Sequence, residues 1–291
     1  PTIIEAYLIK SYLYSLLKNP ASGIIELKKA IDISANANQL GLNLVKLHIE
    51  NNDISAAKKV LSQIQATNQT IFGIERYKGK IAFIEKDFAK AEKYLTAVYQ
   101  QEKLEEVLLE LIQTKQNLDK PEQALALIND LGADIPLNSL PLNVLLKKAE
   151  LVQDSAPKTA IKIYQFVLKR TNDHYVILNN LALLYLKIGE NKTALKIAES
   201  AYNKSSTVSA VQDTYGLILL DLKQSKAALE YLKLAYESDM SNIDYSVHYA
   251  QALVDNNNKQ AAEQIITGLN VNKMKEDTRI RYNSLSQLLR H

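Results

Sequence analysis

Small side chains recur in this 291-residue chain at a fixed interval, and that interval limits what the chain can fold into. From Tyr175 the sequence runs Tyr-Val-Ile-Leu-Asn-Asn-Leu-Ala-Leu-Leu-Tyr185, then through Gly189 to Ala194, Ala198 and Ala201. A shift of 34 residues reaches Ser209 and a copy with Tyr215, Gly216, Leu219, Ala228, Leu232 and Ala235. A second shift of 34 reaches Ile243 and a copy with Tyr249, Ala250, Leu253, Ala262, Ile266 and Leu269. Positions 8 and 20 of the three copies hold Ala182 and Ala194, Gly216 and Ala228, Ala250 and Ala262. Six small residues at two fixed positions are what a close crossing of two helices requires. One helix pair cannot cover its own apolar stripe, so the next pair must stack on it, at roughly 25 cal/mol per Å² buried.

The N-terminal half keeps the register. Copies begin near Ile4, Asn38 and Phe72, again 34 apart, with Tyr7, Ser11, Tyr14, Gly23 and Leu27 in the first. The second has Leu44, Val45, His48, Ala57 and Leu61, and the third Gly79, Ala82, Ala91 and Leu95. Less regular copies begin near Glu105 and Leu142, with Ala124 and Ala160 at the second crossing position. Pro20, Pro121 and Pro157 each stand just before a second helix, where a missing N–H costs nothing. The whole chain has 8 Gly and 6 Pro, too little punctuation for an all-β fold. The expected organisation is four repeats over 1–131, an irregular connection at 132–141, and four repeats plus a polar capping helix near Thr278–Leu289 within 142–291.

The period and the small residues at positions 8 and 20 resemble the tetratricopeptide repeat. The family's Trp at position 4 is replaced by Leu178, Gln212 and Ser246, and its Pro at position 32 is missing from these copies. The resemblance implies an all-α, right-handed superhelical solenoid of about eight helix-turn-helix repeats that binds partners and does not catalyse. In that family the first helix of each repeat lines the concave face. Carried over position by position, the N-terminal groove residues are Tyr12, Asn43, Lys46, Arg76, Tyr77 and Lys80. The C-terminal half contributes Asn143, Lys147, Glu150, Asn179, Asn180 and Lys187, followed by Asp213, Thr214, His248 and Gln251. This polar set of mixed sign suits an extended peptide whose amides need partners, or a polar polymer. Family members that grip chaperone C-terminal carboxylates carry Lys and Asn at positions 5 and 6. Here Asn179-Asn180, Asp213-Thr214 and Val247-His248 do not form that clamp, and Asp213 would repel a carboxylate.

The run Leu178-Asn-Asn-Leu-Ala-Leu-Leu-Tyr185, then Ala194 to Tyr202, then Val211-Gln-Asp-Thr-Tyr-Gly216, is similar to bacterial tetratricopeptide lipoproteins that accompany exosortase/PEP-CTERM sorting and exopolysaccharide clusters. That likeness spans about residues 175–270, departs at Leu217, and implies a periplasmic or envelope scaffold. A cytoplasmic peptide-binding adaptor is the alternative location and role. Direct binding of an exopolysaccharide, with tyrosines stacking on sugar rings, is another.

Composition narrows the remaining classes. A formal charge of +3 with interspersed signs lacks the basic stripe of a nucleic-acid binder. Cysteine is absent, which removes disulfides, thiolate metal sites and thiol nucleophiles. No apolar run approaches the ~18 residues of a membrane span. The chain opens Pro1-Thr2 without methionine, from which an upstream targeting segment is expected. His48, His174, His248 and His291 lack a second histidine at i+3 or i+4, so no helical metal pair is expected. No nucleotide, hydrolase or metalloprotease motif occurs, and neither a catalytic residue nor a cofactor is expected. The acidic pairs Glu105-Glu106 and Glu276-Asp277 fit helix starts. Asn51–Asp53 and Asp255–Asn258 fit turns, where Asn and Asp accept a left-handed backbone. Of 16 tyrosines, Tyr7, Tyr14, Tyr164, Tyr185, Tyr215 and Tyr249 occupy repeat positions and are expected in the core.

Overall fold

The structure is a computed structural model that describes residues 2–35, 37–131, 136–171 and 174–290. Among the described residues there are seventeen α-helices, two single 3-10 turns and no strand. They fall into two compact units, Pro1–Ile135 and Pro136–His291. In the first unit are α1 (Ile3–Leu16), α2 (Pro20–Asp32), α3 (Ala37–Glu50), α4 (Ile54–Gln63), α5 (Ile71–Ile84), α6 (Phe88–Gln101), α7 (Glu105–Asn117) and α8 (Pro121–Asn129). In the second are α9 (Leu142–Val152), α10 (Pro157–Leu168), α11 (Tyr175–Lys187), α12 (Asn191–Lys204), α13 (Ser209–Asp221), α14 (Ser225–Ser238), α15 (Ile243–Asp255), α16 (Lys259–Ile266) and α17 (Glu276–Leu289). Of the expected connection, 132–135 lie outside the described residues, and Leu137–Ser139 form a 3-10 turn. His291 is also outside them.

One turn closes nearly every hairpin. Lys18, Asn52, Lys86, Asp119, Gly189, Lys223 and Asn257 all have φ between 55° and 80°. The next residue sends its N–H back to a carbonyl in the last turn of the first helix: Asn19 to Tyr14 at 2.9 Å, Asp53 to His48 at 2.8 Å, Asp87 to Ala82 at 2.9 Å, Glu190 to Tyr185 at 2.8 Å. These bonds satisfy carbonyls that a helix end leaves unpaired. The same residue then starts the second helix where it is Asn or Asp. Asn19, Asp53, Asp87 and Asn258 accept the N–H of Ser22, Ala56, Lys90 and Ala261. Pro20, Pro121 and Pro157 open α2, α8 and α10, in the place the sequence assigned them. The two Asn/Asp turns are turns, as expected, with Asn52 and Asn257 in the left-handed region.

Packing follows the crossing positions. Ala182, Ala194, Ala228, Ala250 and Ala262 have no exposed surface. A Cβ on Gly216 would lie 2.7 Å from Leu232 Cγ, and one on Gly79 would lie 2.9 Å from Leu95 Cγ. Within each unit a first helix packs on its own second helix and, from the second repeat of the unit on, on the hairpin before it. In the first unit Leu40, Leu44 and Leu47 of α3 close over Ile24, Leu27 and Ala30 of α2. In the second, Leu285 of α17 closes over Ala250, Leu253, Ala262 and Ile266.

The tyrosines depart from expectation. Tyr164 is buried, but Tyr7, Tyr14, Tyr185, Tyr215 and Tyr249 are only half-buried. Tyr202 stacks on Tyr215 at 5.5 Å and Tyr236 on Tyr249 at 5.2 Å, with Tyr231 edge-on to Tyr215 at 4.8 Å. They seal the seam between adjacent hairpins with ring edges open to water, because a phenol has a polar end to keep wet. Among the described residues no helix is long and apolar enough to cross a membrane.

Candidate functional site

Where first helices lie side by side within a unit, their outward residues form a polar face. In the first unit that face is stitched by charge. Arg76 on α5 donates to Glu106 at 2.6 Å and to Glu110 at 3.2 Å, both on α7, and Lys80 donates to Glu110 at 3.4 Å. Burial works against the Arg76 charge, yet the Glu110 and Glu106 carboxylates prevail and hold its pKa above the ordinary guanidinium range. The hydrogen bond from Arg76 in turn holds the Glu106 carboxyl below its usual range. Beside them Tyr77 packs against the Leu42–Val45 cluster, and its burial pushes the phenol up. Nearer the N-terminus Ser15 donates to Glu50 at 3.0 Å, and Lys46 lies 3.8 Å from the same carboxylate. Asn43 and Tyr12 are exposed.

The second unit uses different chemistry. Lys147 donates to Glu150 at 2.6 Å and Lys187 to Asp154 at 2.6 Å. The Asp154 hydrogen bond raises the pKa of Lys187. Asn180 reaches the Tyr164 hydroxyl at 3.4 Å, and burial pushes that phenol up to about 12. Asn179 turns its Oδ1 into a buried position where no donor meets it. Gln251 donates to Asp255 at 2.8 Å, and Asn143 is exposed.

Three expected groove residues are not open. Asp213, Thr214 and His248 are each under a tenth exposed. Asp213 on α13 and His248 on α15 face each other, with His248 Nδ1 at 2.9 and 3.0 Å from the two carboxylate oxygens. The acid read as a repellent for incoming carboxylates is therefore engaged by a histidine one repeat on. The register explains this. Asp213 is at position 5 and His248 at position 6 of the next copy, 35 residues apart, which brings them opposite on neighbouring first helices.

Two further contacts were missed by the sequence reading. Arg281 on α17 reaches Asp221 at the end of α13, 3.0 Å away and 60 residues distant. Asp244 at the start of α15 accepts from Thr278 at 2.5 Å and Lys275 at 3.0 Å. Burial opposes the Asp244 charge, but these two donors hold its carboxyl below the usual range. Thr278 repeats position 2 of the preceding copy, so continuing the 34-residue count past Leu269 would have found the pair.

Chemically the faces are amides, phenols and internally neutralised charges. The Asp213–His248 pair is buried, and no hydroxyl bonds to it among the described residues. Nor, among them, do three or more His, Asp or Glu cluster as they would around a metal ion. His48 is buried, and its Nδ1 has no hydrogen-bond partner. His174 lies just before α11, where its Nδ1 accepts the Val176 N–H at 3.3 Å.

Comparison with known proteins adds the following. A tetratricopeptide repeat family model matches residues 24–267, and a second tetratricopeptide repeat model matches 4–36. No curated protein matches the sequence. Among solved structures, a tetratricopeptide repeat protein from Parabacteroides merdae ATCC 43184 is 16% identical with a TM-score of 0.58, over 87% of this chain and all of that one. A chain of the APC/C hetero-tetramer Cut9–Hcn1 is 16% identical with a TM-score of 0.64, over 86% of this chain and 52% of its own. IFIT1, in complex with Gppp-AAAA, is 14% identical with a TM-score of 0.56, over 97% of this chain and 72% of its own.

Proposed function

The chain belongs to the tetratricopeptide repeat family, and we propose that it holds an extended segment of a protein partner against the exposed faces of its first helices. Members of this family are non-catalytic interaction scaffolds as a rule. One observation carries the finer reading. The ionic side chains of these faces are neutralised within the chain, while the exposed Asn43 and Asn143 and the half-buried Asn179 are left to offer amide groups. A peptide backbone supplies donors and acceptors that pair with such amides at regular spacing. A photo-crosslinking residue at position 43, 143 or 179 should trap one partner protein in host extract, and the same residue at Lys93 on α6 should not. The trapped partner, once purified, should bind wild type and lose affinity for Asn179→Lys. Equal trapping at all positions would sink the reading.

The half-buried tyrosine seam of the second unit favours a second reading, stacking on the rings of an exported polysaccharide. Calorimetry with the host's exopolysaccharide separates the two: heat with glycan and none with protein would replace the first reading. We place the protein in the bacterial envelope on the likeness of residues 175–270 to envelope repeat lipoproteins. Fractionation of host cells tests this, and recovery in the cytoplasm would favour the adaptor role.

A further inference from the structure

The tyrosine seam of the second unit has a counterpart in the first, and there it is a cavity. Counted from the left-handed turn residues, Tyr99, Leu111 and Leu127 stand where Tyr202, Tyr215 and Tyr231 stand. Tyr99 and Tyr202 each follow a turn by 13 residues, at Lys86 and at Gly189. Leu111 and Leu127 flank Asp119 by eight residues on either side, as Tyr215 and Tyr231 flank Lys223. In the second unit the three rings pack on one another. Tyr202 stacks on Tyr215, and Tyr231 lies edge-on to both, at 5.2 and 4.8 Å. In the first unit leucines replace two of the rings, and a cavity of about 510 Å³ opens between α6, α7 and α8, with Tyr99, Leu111 and Leu127 in its lining. That volume falls in the range of roughly 300–1,000 Å³ in which proteins hold small ligands.

We propose that this cavity takes an aromatic side chain, a phenol or phenyl ring carried by a neutral segment of a partner protein. The second unit shows the shape that these three positions accept. A ring entering here meets Tyr99 as Tyr215 meets Tyr202, in the offset or edge-on geometry that aromatic pairs prefer. The Lys103 ammonium lies over the Tyr99 ring at 4.3 Å, and because Lys103 is exposed it can move aside without stranding a buried charge. The polar lining selects how the ring is carried. Lys115 already donates to Glu92 at 2.7 Å and to Gln123 at 2.9 Å. Lys103 and Asp130, also in the lining, are exposed and opposite in sign. The lining thus offers no buried, unpaired ion to hold the charged end of a free aromatic acid or amine, and a peptide main chain is neutral. Most of the lining comes from second helices and the segments that follow them, not from the exposed faces of first helices. The site therefore stands or falls separately from the role proposed for those faces.

N-acetyl-tyrosinamide, the ring on a neutral main chain, should bind the purified chain with a roughly millimolar dissociation constant, read by saturation-transfer NMR. Leu127→Tyr puts back the third ring of the second unit and should lose that binding with helical circular dichroism unchanged. Thr96→Phe, half-buried in the same lining, should also lose it and serves where Leu127→Tyr disturbs folding. N-acetyl-leucinamide should bind several-fold more weakly than the tyrosine amide. Absence of binding to wild type overturns the proposal, and so does binding that survives both variants. Equal binding of the two amides would make the cavity an apolar hole with no preference for a ring, and tighter binding of free tyrosine would make it a site for the amino acid; either result overturns the proposal too.

Discussion

The hairpin pair α5–α6 in the first unit and α13–α14 in the second are built on one plan, yet the residues they offer to the next repeat have nothing in common. At the crossing both use glycine against leucine: Gly79 meets Leu95, and Gly216 meets Leu232. At position 5, three residues before each glycine, stand Arg76 and Asp213, opposite in charge. Arg76 binds Glu106 and Glu110 at a half-open surface, while Asp213 is buried against His248. The crossing leaves no room for choice, because two backbones approach there and any side chain must fit between them. The position 5 surface fixes only that neighbouring first helices meet, and either sign of charge, or none, can make the contact.

The largest effects should therefore come from breaking what the two pairs share. Gly216→Leu should cost about 3 kcal/mol, read as the shift of a urea midpoint, because overpacking a filled core costs 1–3 kcal/mol or more. Gly79→Leu should cost less. A Cβ at 216 also comes within 3.2 Å of the Leu232 backbone nitrogen, whereas at 79 it meets only side chains, Leu95 and Tyr94. Equal loss at the two sites would mean that the leucines, and not the backbone nitrogen beside 216, set the limit in both.

Next come the two buried histidines, which divide the units in the same way. His248→Ala strands Asp213 without a partner and should cost about 1–3 kcal/mol. His48→Leu removes a ring nitrogen that has no hydrogen bond and should stabilise. It should also change the pH dependence. Burial, with Lys28 close by, holds the His48 pKa below its ordinary value of 6.5. The unfolded chain then binds the proton first, so stability is complete above pH 6.5 and declines as the pH falls below it. The variant should lose that decline in a pH series of melts. If wild type and variant fall in parallel, His48 does not titrate as its burial dictates.

These residues also mark what the sequence could and could not disclose. The small residues of the crossings, the prolines and the helix ends were legible because each answers to a steric rule that holds wherever the repeat recurs. The groove was legible as a set of positions and not as a surface. Nothing in Asp213-Thr214 says that a histidine 35 residues on will bury the pair. Arg76, read from the sequence only as a groove residue, is a second case. In the structure Arg76 joins α5 to α7, and the reversal would set three carboxylates together. Arg76→Ala should cost about 1 kcal/mol and Arg76→Glu more, with part of the difference recovered in high salt. Tyrosine position was misread because periodicity reports which side of a helix faces inward, and a phenol at the rim of that side meets the pattern while keeping its hydroxyl in water.

The smallest effect tests the turn that both units share. Six of the seven left-handed residues there carry a side chain, three of them the lysines Lys18, Lys86 and Lys223, while only Gly189 is free of strain. No turn propensity points to lysine, yet all but Asp119 follow the 34-residue spacing within their unit, so the hairpin geometry imposes the conformation on whatever residue falls there. A left-handed backbone costs a residue with a Cβ about 1–2 kcal/mol, and glycine gives back part of that by the entropy it loses on folding. Lys86→Gly and Lys223→Gly should thus each gain about 0.5–1 kcal/mol, and Gly189→Ala should lose a similar amount, although an added Cβ at 189 meets no atom within 4 Å. Lys86 and Lys223 lie in different units at the same register, so their gains should agree. If one gains and the other loses, the unit that loses relies on its lysine for more than closing the turn.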